Sequence, residues 1–315
     1  MTVGAAMQLD YSYRDSGSPL HRLHALVWLV LVAAVIVATL VLQHPVLLVC
    51  VLAANVVLAL SARVWKQWWG VMRFTIWMFL LVVAINAIVS NEGSHVLWAA
   101  GFRLPLVGEP RVTLEALAYG AAMGVRLSTV ISAFTLLNLC VHPDDMMRAA
   151  IKARLPYRSV LVTSLSTRFI PVLLSDANTI MDVQRSRGVD FSSGRLSSRV
   201  RNYGALVLPL LSNSLDRAVQ VAEAMESRGY GARGERTFYK DRRIGLHDGL
   251  AALTPVAALC LVVLVRLDGI DEFAYYPTLS ALNVGVSLAA SAGLLMVLLL
   301  APAAIARLHG GYGGD

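Results

Sequence analysis

Six apolar stretches, each near the length that crosses a bilayer, limit this chain more than any other feature. They run over Ala25–Gln43, Pro45–Ser61, Arg73–Ser90, Thr113–Val141, Leu250–Val265 and Tyr276–Ala306. The hydrocarbon core offers no water to backbone amides and takes about twenty apolar residues to cross as a helix. The sequence therefore predicts an all-α, polytopic membrane protein with about six transmembrane helices. The second and fifth stretches are of marginal length and read as short or tilted spans. Composition agrees. Of 315 residues, 57% are hydrophobic and 15% charged, whereas a soluble domain carries about 25% charged residues.

The formal charge of +7 would suggest nucleic acid on a soluble protein. Here there is no basic groove interleaved with aromatic residues, and no nucleic-acid partner is expected. The positive charge sits instead in particular loops. Ala62–Met72 carries Arg63 and Lys66 without an acid, and His142–Asp248 holds seventeen of the 27 Lys and Arg against eleven acids. Leu267–Pro277 has Asp268, Asp271 and Glu272 and no base, while Asn91–Arg111 is balanced. The positive-inside rule then predicts a multi-pass protein of the cell membrane with both termini and His142–Asp248 in the cytoplasm. The chain divides accordingly into three regions. Residues 1–141 form a membrane region of four spans, 142–248 a cytoplasmic or interfacial excursion, and 249–315 a membrane region of two spans. The first twenty-four residues are mostly polar, so no secretory signal is expected. Cys50, Cys140 and Cys260 lie apart in apolar segments and read as small buried hydrophobes.

The excursion keeps a high apolar content and shows no strand alternation, so it reads as three helices. Asp144–Arg154 is short and amphipathic, N-capped by the acids of HPDD and stopped by Pro156. Ser159–Arg187 and Ser197–Arg228 are long, each with apolar residues at helical spacing. Each also contains one proline, Pro171 and Pro209, which removes a backbone bond and predicts a kink. The residues from each proline onward are similar: PVLLSDANTIMDVQRSRG in one helix, PLLSNSLDRAVQVAEAMESRG in the other. The two segments read as a degenerate repeat, a kinked helix ending in Ser-Arg-Gly at Ser186, Arg187, Gly188 and again at Ser227, Arg228, Gly229.

A glycine past a helix end supplies a left-handed turn, and an arginine beside it complements the negative end of the helix dipole. One such tip is accounted for as a stop signal. Two on similar helices within one excursion point further, to docking. A planar guanidinium with five donors suits a groove of carboxylates or carbonyls, and a pair of them suits a partner presenting two related grooves. No phosphate-binding loop of the form G-x-x-x-x-G-K-[ST] is present, and the three lysines, Lys66, Lys152 and Lys240, do not come after glycines. ATP-driven work must then come from a partner.

These segments resemble the transmembrane T component (EcfT/CbiQ-like) of energy-coupling factor importers, over the chain from its start to about Asp241. SPLHRLHALVWL at Ser18–Leu29 is similar to the family's opening segment, with His24 and Ala25 in place of the usual Asp-Pro. HPDDMMRAAIKARLPYR resembles the short coupling segment, and the two Ser-Arg-Gly helices resemble the family's paired x-Arg-Gly signatures. Both copies have Ser where the family often has Ala, and Asp176 stands where Glu is common. The resemblance implies a non-catalytic coupling scaffold without a cofactor. Its Arg187 and Arg228 ends would sit in two ABC-type ATPase subunits, or one fused pair. Its membrane part would hold a small integral-membrane S component that binds a vitamin, a vitamin precursor or a metal ion.

Other polar residues inside the apolar stretches need an account. Arg126 sits mid-span and is expected to be paired or to snorkel. Glu115, eleven residues earlier, shares its face without reaching it. Asn55, Asn86 and Asn138 are expected to join helices. Arg199 and Arg201 are expected to meet anionic lipid heads. The one close histidine pair, His21 and His24, does not make a metal site by itself. Two other functions are compatible with an apolar chain of this kind. An ordinary ABC permease would line its own substrate path and need a single coupling loop. A membrane enzyme acting on lipids would need acids or histidines clustered at one membrane face, and here the acids are dispersed.

Overall fold

The computed structural model describes residues 18–90, 93–99, 111–142, 145–147, 149, 156–189, 191, 196–231, 245–282 and 284–310. In chain order, a 3-10 turn at Pro19–Arg22 leads into α1 (Ala25–Val41), α2 (Pro45–Ser61) and α3 (Trp65–Val89). Strands β1 (Val96–Ala99) and β2 (Arg111–Thr113) come next, then α4 (Leu114–Cys140), α5 (Tyr157–Ser186), α6 (Leu196–Ser227), α7 (Leu246–Leu267) and α8 (Val286–Gly310). The chain divides into two compact units, one of Met1–Ala149 with Arg242–Asp315, the other of Ala150–Asp241.

The first unit is a bundle around α4. α3 packs along α4 most extensively, α1 rests on α4 and α7, and α2 on α4 and α8. Glycines make the α3–α4 approach possible. A Cβ at Gly124 would lie 2.4 Å from the Phe79 ring, and one at Gly120 would lie 3.1 Å from the Val83 backbone. Gly120 and Gly124 form a G-x-x-x-G spacing, which brings helices close where lipid supplies no hydrophobic drive. The core is contiguous and apolar, with Trp28, Leu31, Leu48, Leu58, Leu136 and Leu299 fully buried.

Histidine supplies two of the helix starts. Nδ1 of His24 accepts from the Leu26 amide at 3.1 Å, and Nδ1 of His44 accepts from Val46 at 3.3 Å. An Asp at such a position caps with a carboxylate oxygen; His24 does the same with its ring nitrogen, which explains how it can stand in that place. The His24 amide also donates to Asp248 Oδ1 at 3.3 Å, tying the start of α1 to the start of α7. At the opposite end, buried Asp271 accepts from the Gln43 amide at 3.3 Å and faces Arg266 at 3.4 Å.

The helical, multi-span class holds, with differences in extent. α3, α4, α7 and Val286–Leu308 of α8 are long and apolar enough to span. α1 and α2, at 17 residues each, are shorter apolar helices. α3 starts at Trp65, two turns before the expected Arg73, and Trp65 stacks there on both Trp68 and Trp69. α8 starts at Val286 and not near Tyr276; the described residues between are largely apolar but not helical, and hydropathy does not distinguish such a loop from helix. Arg158–Ser186 of α5 also passes the length and composition test for a span, although it falls within the expected cytoplasmic excursion; it is the least apolar of the five. Asn91–Arg111, expected as plain loop, contributes part of an antiparallel strand pair with Val96 opposite Thr113 and Ala99 opposite Arg111. Of the short helix expected at Asp144–Arg154, residues 145–147 and 149 are helical and the rest lies outside the described residues.

Candidate functional site

The second unit is built from α5 and α6, and its two helices end alike. In α5 the last helical residue is Ser186, and Arg187 is the C-cap with φ −88° and ψ 8°. Gly188 comes next at φ +87°. Its amide bonds the Arg185 carbonyl at 2.9 Å, and the Val189 amide reaches back to Gln184 at 3.0 Å. In α6 the last helical residue is Ser227, with Arg228 and then Gly229 at φ +78°. The Gly229 amide bonds Glu226 at 2.8 Å, and the Tyr230 amide bonds Met225 at 2.9 Å. Both are Schellman ends, in which a left-handed residue turns two amides back onto trapped carbonyls. Even the serines match. Ser186 Oγ donates to Val183 O at 2.7 Å, and Ser227 Oγ to Ala224 O at 3.0 Å.

Each part of the tripeptide therefore has a physical task. Serine closes the last turn, arginine occupies the cap, and glycine reverses the chain. A Cβ on Gly188 or Gly229 would meet nothing within 4 Å, so a substitution there is penalised through the backbone alone. Gly188→Ala and Gly229→Ala are expected to cost roughly 1–2 kcal/mol of local order each. Hydrogen exchange at Val189 and Tyr230 should quicken about tenfold, with the rest of the chain unaffected.

Both guanidinium groups differ from their neighbours in having no internal partner among the described residues. The Arg187 and Arg228 side chains are exposed and, among the described residues, neither makes a hydrogen bond or an ion pair. Neighbouring arginines differ. Arg185 bonds Asp182 at 3.1 Å and lies over the Phe191 ring at 6.0 Å, and buried Phe191 packs on Tyr203 of α6. The first tip thus spends one arginine internally and presents the other.

The two helices meet at equivalent points of the repeat. Arg217 of α6 bonds Asp176 of α5 at 2.8 Å, a pair separated by 41 residues. Arg187 and Arg228 are separated by the same interval. Each tip therefore lies eleven residues beyond the ion pair, roughly 16 Å along its helix at 1.5 Å per residue. Phe169, Val172 and Leu173 face Ser214, Arg217 and Ala218 there, around a cavity of about 130 Å³. In the sequence Asp176 stands out only as a departure from the family pattern, and the 41-residue offset is the available clue to its partner. Pro171 and Pro209 lie inside helices that run continuously through them. At the crossing and on the side away from the tips much apolar surface is exposed, including Ile170, Leu174, Val207, Leu208 and Leu215.

Arg126 and Glu115 do not pair with each other. Arg126 Nε donates to Thr39 O at 2.9 Å and its terminal nitrogen to Leu42 O at 2.8 Å, so it caps the end of α1 from another helix. Fully buried Glu115 accepts from Ser94 Oγ at 2.9 Å and from the His95 amide at 3.2 Å, holding the strand pair to the start of α4. Asn55 joins α2 to α4 through the Thr129 carbonyl at 3.2 Å, whereas Asn86 bonds within its own helix to Val82. Side chains of Arg199 and Arg201 lie outside the described residues.

Comparison with known proteins fits this arrangement. The cobalt transport protein family CbiQ matches residues 16–239, a range that takes in both arginine tips. The chain is 32% identical over 223 residues to the energy-coupling factor transporter transmembrane protein EcfT of Limosilactobacillus fermentum, covering 70% of this chain and 82% of that one. To the EcfT of Streptococcus thermophilus it is 32% identical over 202 residues, covering 62% of this chain and 73% of the relative. To that of Lacticaseibacillus paracasei it is 31% identical over the same length, covering 62% and 74%. The chain belongs to the CbiQ family, as an EcfT-like membrane T component of an energy-coupling factor transporter.

Proposed function

We propose that the chain is the coupling scaffold of an energy-coupling factor importer of the cell membrane. Arg187 and Arg228 each seat in one ABC-type ATPase subunit, or in one half of a fused pair. The membrane unit holds a small substrate-binding S component, and lipids surround the rest. ATP binding and hydrolysis by the ATPases move the α5 and α6 tips, and that motion drives uptake of a vitamin, a vitamin precursor or a metal ion. On this reading the tips and both termini lie in the cytoplasm, and the regions 1–141, 142–248 and 249–315 serve as membrane anchor, coupling arms and second anchor.

One observation carries the reading: two arginines without a side-chain partner among the described residues stand on matching helix ends, equally far from an ion pair between equivalent positions. Such an arrangement suits a partner with two related grooves. Directional, charge-assisted bonds hold a tip through a large movement better than a broad apolar patch, whose attraction depends on close packing over its whole area.

Cross-linking tests it. In a background without Cys50, Cys140 and Cys260, Ser186→Cys and Ser227→Cys, each labelled with a maleimide-benzophenone, are expected to give a photo-adduct with an ATPase subunit co-expressed with the full chain. An adduct from neither position, or from one alone, overturns docking by paired tips.

A further inference from the structure

The membrane unit contains a second concave feature, unrelated to the arginine tips. A cavity of about 490 Å³ opens between the first turns of α2, the first half of α4 and the loop joining α7 to α8. Its walls are Pro45, Leu48 and Cys50 on one side and Ala118, Ala122 and Val125 on the other. The volume falls in the range of small-molecule sites, roughly 300–1,000 Å³. Its α4 wall runs from Ala118 to Val125, seven residues or roughly 10 Å of helix, against about 15 Å for one leaflet of a hydrocarbon core of about 30 Å. The cavity therefore extends through much of one leaflet.

Its roof is aromatic and anchored. Phe273 packs edge-on against His44 at 5.3 Å and against Tyr275 at 4.8 Å, and Tyr275 meets Tyr119 at 5.6 Å. The Tyr275 hydroxyl donates to Gln43 O at 3.0 Å, and burial pushes its phenol pKa up, so it remains a neutral donor. Tyr276 OH lies 2.7 Å from Ser90 Oγ and ties the same loop to the end of α3. Amphipathic rings at this level mark the depth of lipid ester and headgroups.

Two fillings are disfavoured by physics. Water needs two to four polar partners, and apart from the roof hydroxyl, already engaged, the walls offer carbon and one thiol. An empty cavity forfeits the dispersion contacts of every wall atom. The phase at the same depth is acyl chain, apolar, flexible and abundant.

We propose that this cavity holds one acyl chain of a phospholipid from the leaflet next to the start of α4, with the ester end beneath the Phe273–Tyr275 roof. The inference is independent of tip docking. Its test uses full-length protein in nanodiscs doped with a phosphatidylcholine carrying a diazirine near the end of one acyl chain. After irradiation, adducts on residues 45–50 and 118–125 are expected about fivefold above those on the exposed α3 face of Phe74, Trp77 and Leu81, as for a held ligand against exchanging lipid. Ala118→Leu with Ala122→Leu fills the cavity and should remove the excess while leaving α3 labelling unchanged. Wild-type protein supplies a second readout should that variant fail to fold: hexadecanoate is expected to compete for the labelled peptides and hexanoate is not. Equal labelling of cavity and α3, an excess untouched by filling, or competition indifferent to chain length overturns the proposal. So does loss of labelling as the protein self-associates, which would give the cavity to a second copy.

Discussion

Arg187→Glu combined with Arg228→Glu is expected to abolish recovery of the ATPase subunits with the full-length chain, while the protein still inserts and keeps its helical content. The reason for the size of the effect is electrostatic. Removing one partner of a desolvated, hydrogen-bonded charge pair costs about 2–5 kcal/mol at an interface, and reversal adds repulsion to that loss. Each single reversal should then weaken association by at least about tenfold, since about 1.4 kcal/mol is a factor of ten. Arg→Lys at both tips should fall between, because an ammonium keeps the charge and loses the planar fork of donors. Folding should be indifferent, as both side chains are exposed and without a partner among the described residues. Co-purification in detergent at two salt concentrations measures the outcome. Undiminished recovery of ATPases with the double reversal would show that the tips do not dock there.

The tips were legible in the sequence because the chemistry that makes them is local. Ser-Arg-Gly carries its own instructions within a turn, and the Schellman bonds at Gly188 and Gly229 arise from glycine's freedom at positive φ. Span positions were legible for the same kind of reason, since a bilayer imposes length and polarity on each helix separately. What escaped involves partners distant in the chain. Nothing near Asp176 announces Arg217, and only the equal spacing within the repeat could have suggested the pair. Leu279 and Leu282 line a cavity from a loop, and hydropathy extended α8 back over that loop. The sequence placed Glu115 on the Arg126 face without reaching it, but did not reveal the strand pair that the buried carboxylate serves. α5 remains instructive in the other direction. It has the length of a span and a chain of exposed apolar residues, and yet carries one of the two signature tips.

Arg126→Met is expected to have two effects of opposite sign. In the folded protein the guanidinium donates to the carbonyls of Thr39 and Leu42, which belong to the end of α1 and have no partner further along that helix. α1 has only 17 residues, fewer than the roughly twenty that cross a bilayer. Its carbonyl end carries acceptors without a helical partner, and a positive charge there meets the negative end of the helix dipole. Neutral hydrogen bonds between membrane helices average only about 0.6 kcal/mol, whereas bonds from a charged donor are worth about 1.5–3 kcal/mol each. The second figure governs here, because before packing the lone arginine already bears its intramembrane cost without compensation. Loss of both bonds should weaken α1–α4 packing by about 2–4 kcal/mol and lower the unfolding midpoint by on the order of 5–10 °C. Insertion of α4 by itself should improve, since a charge at mid-span costs about 2.5–3.5 kcal/mol on insertion scales. Arg126→Lys should recover part of the packing, one ammonium being less able to bridge two carbonyls in a fixed fork. Thermal unfolding in detergent reads the first effect, and a glycosylation-mapping insertion assay on α4 reads the second. A variant that inserts better and unfolds at the wild-type temperature would mean that Arg126 merely snorkels, and that the end of α1 is satisfied without it.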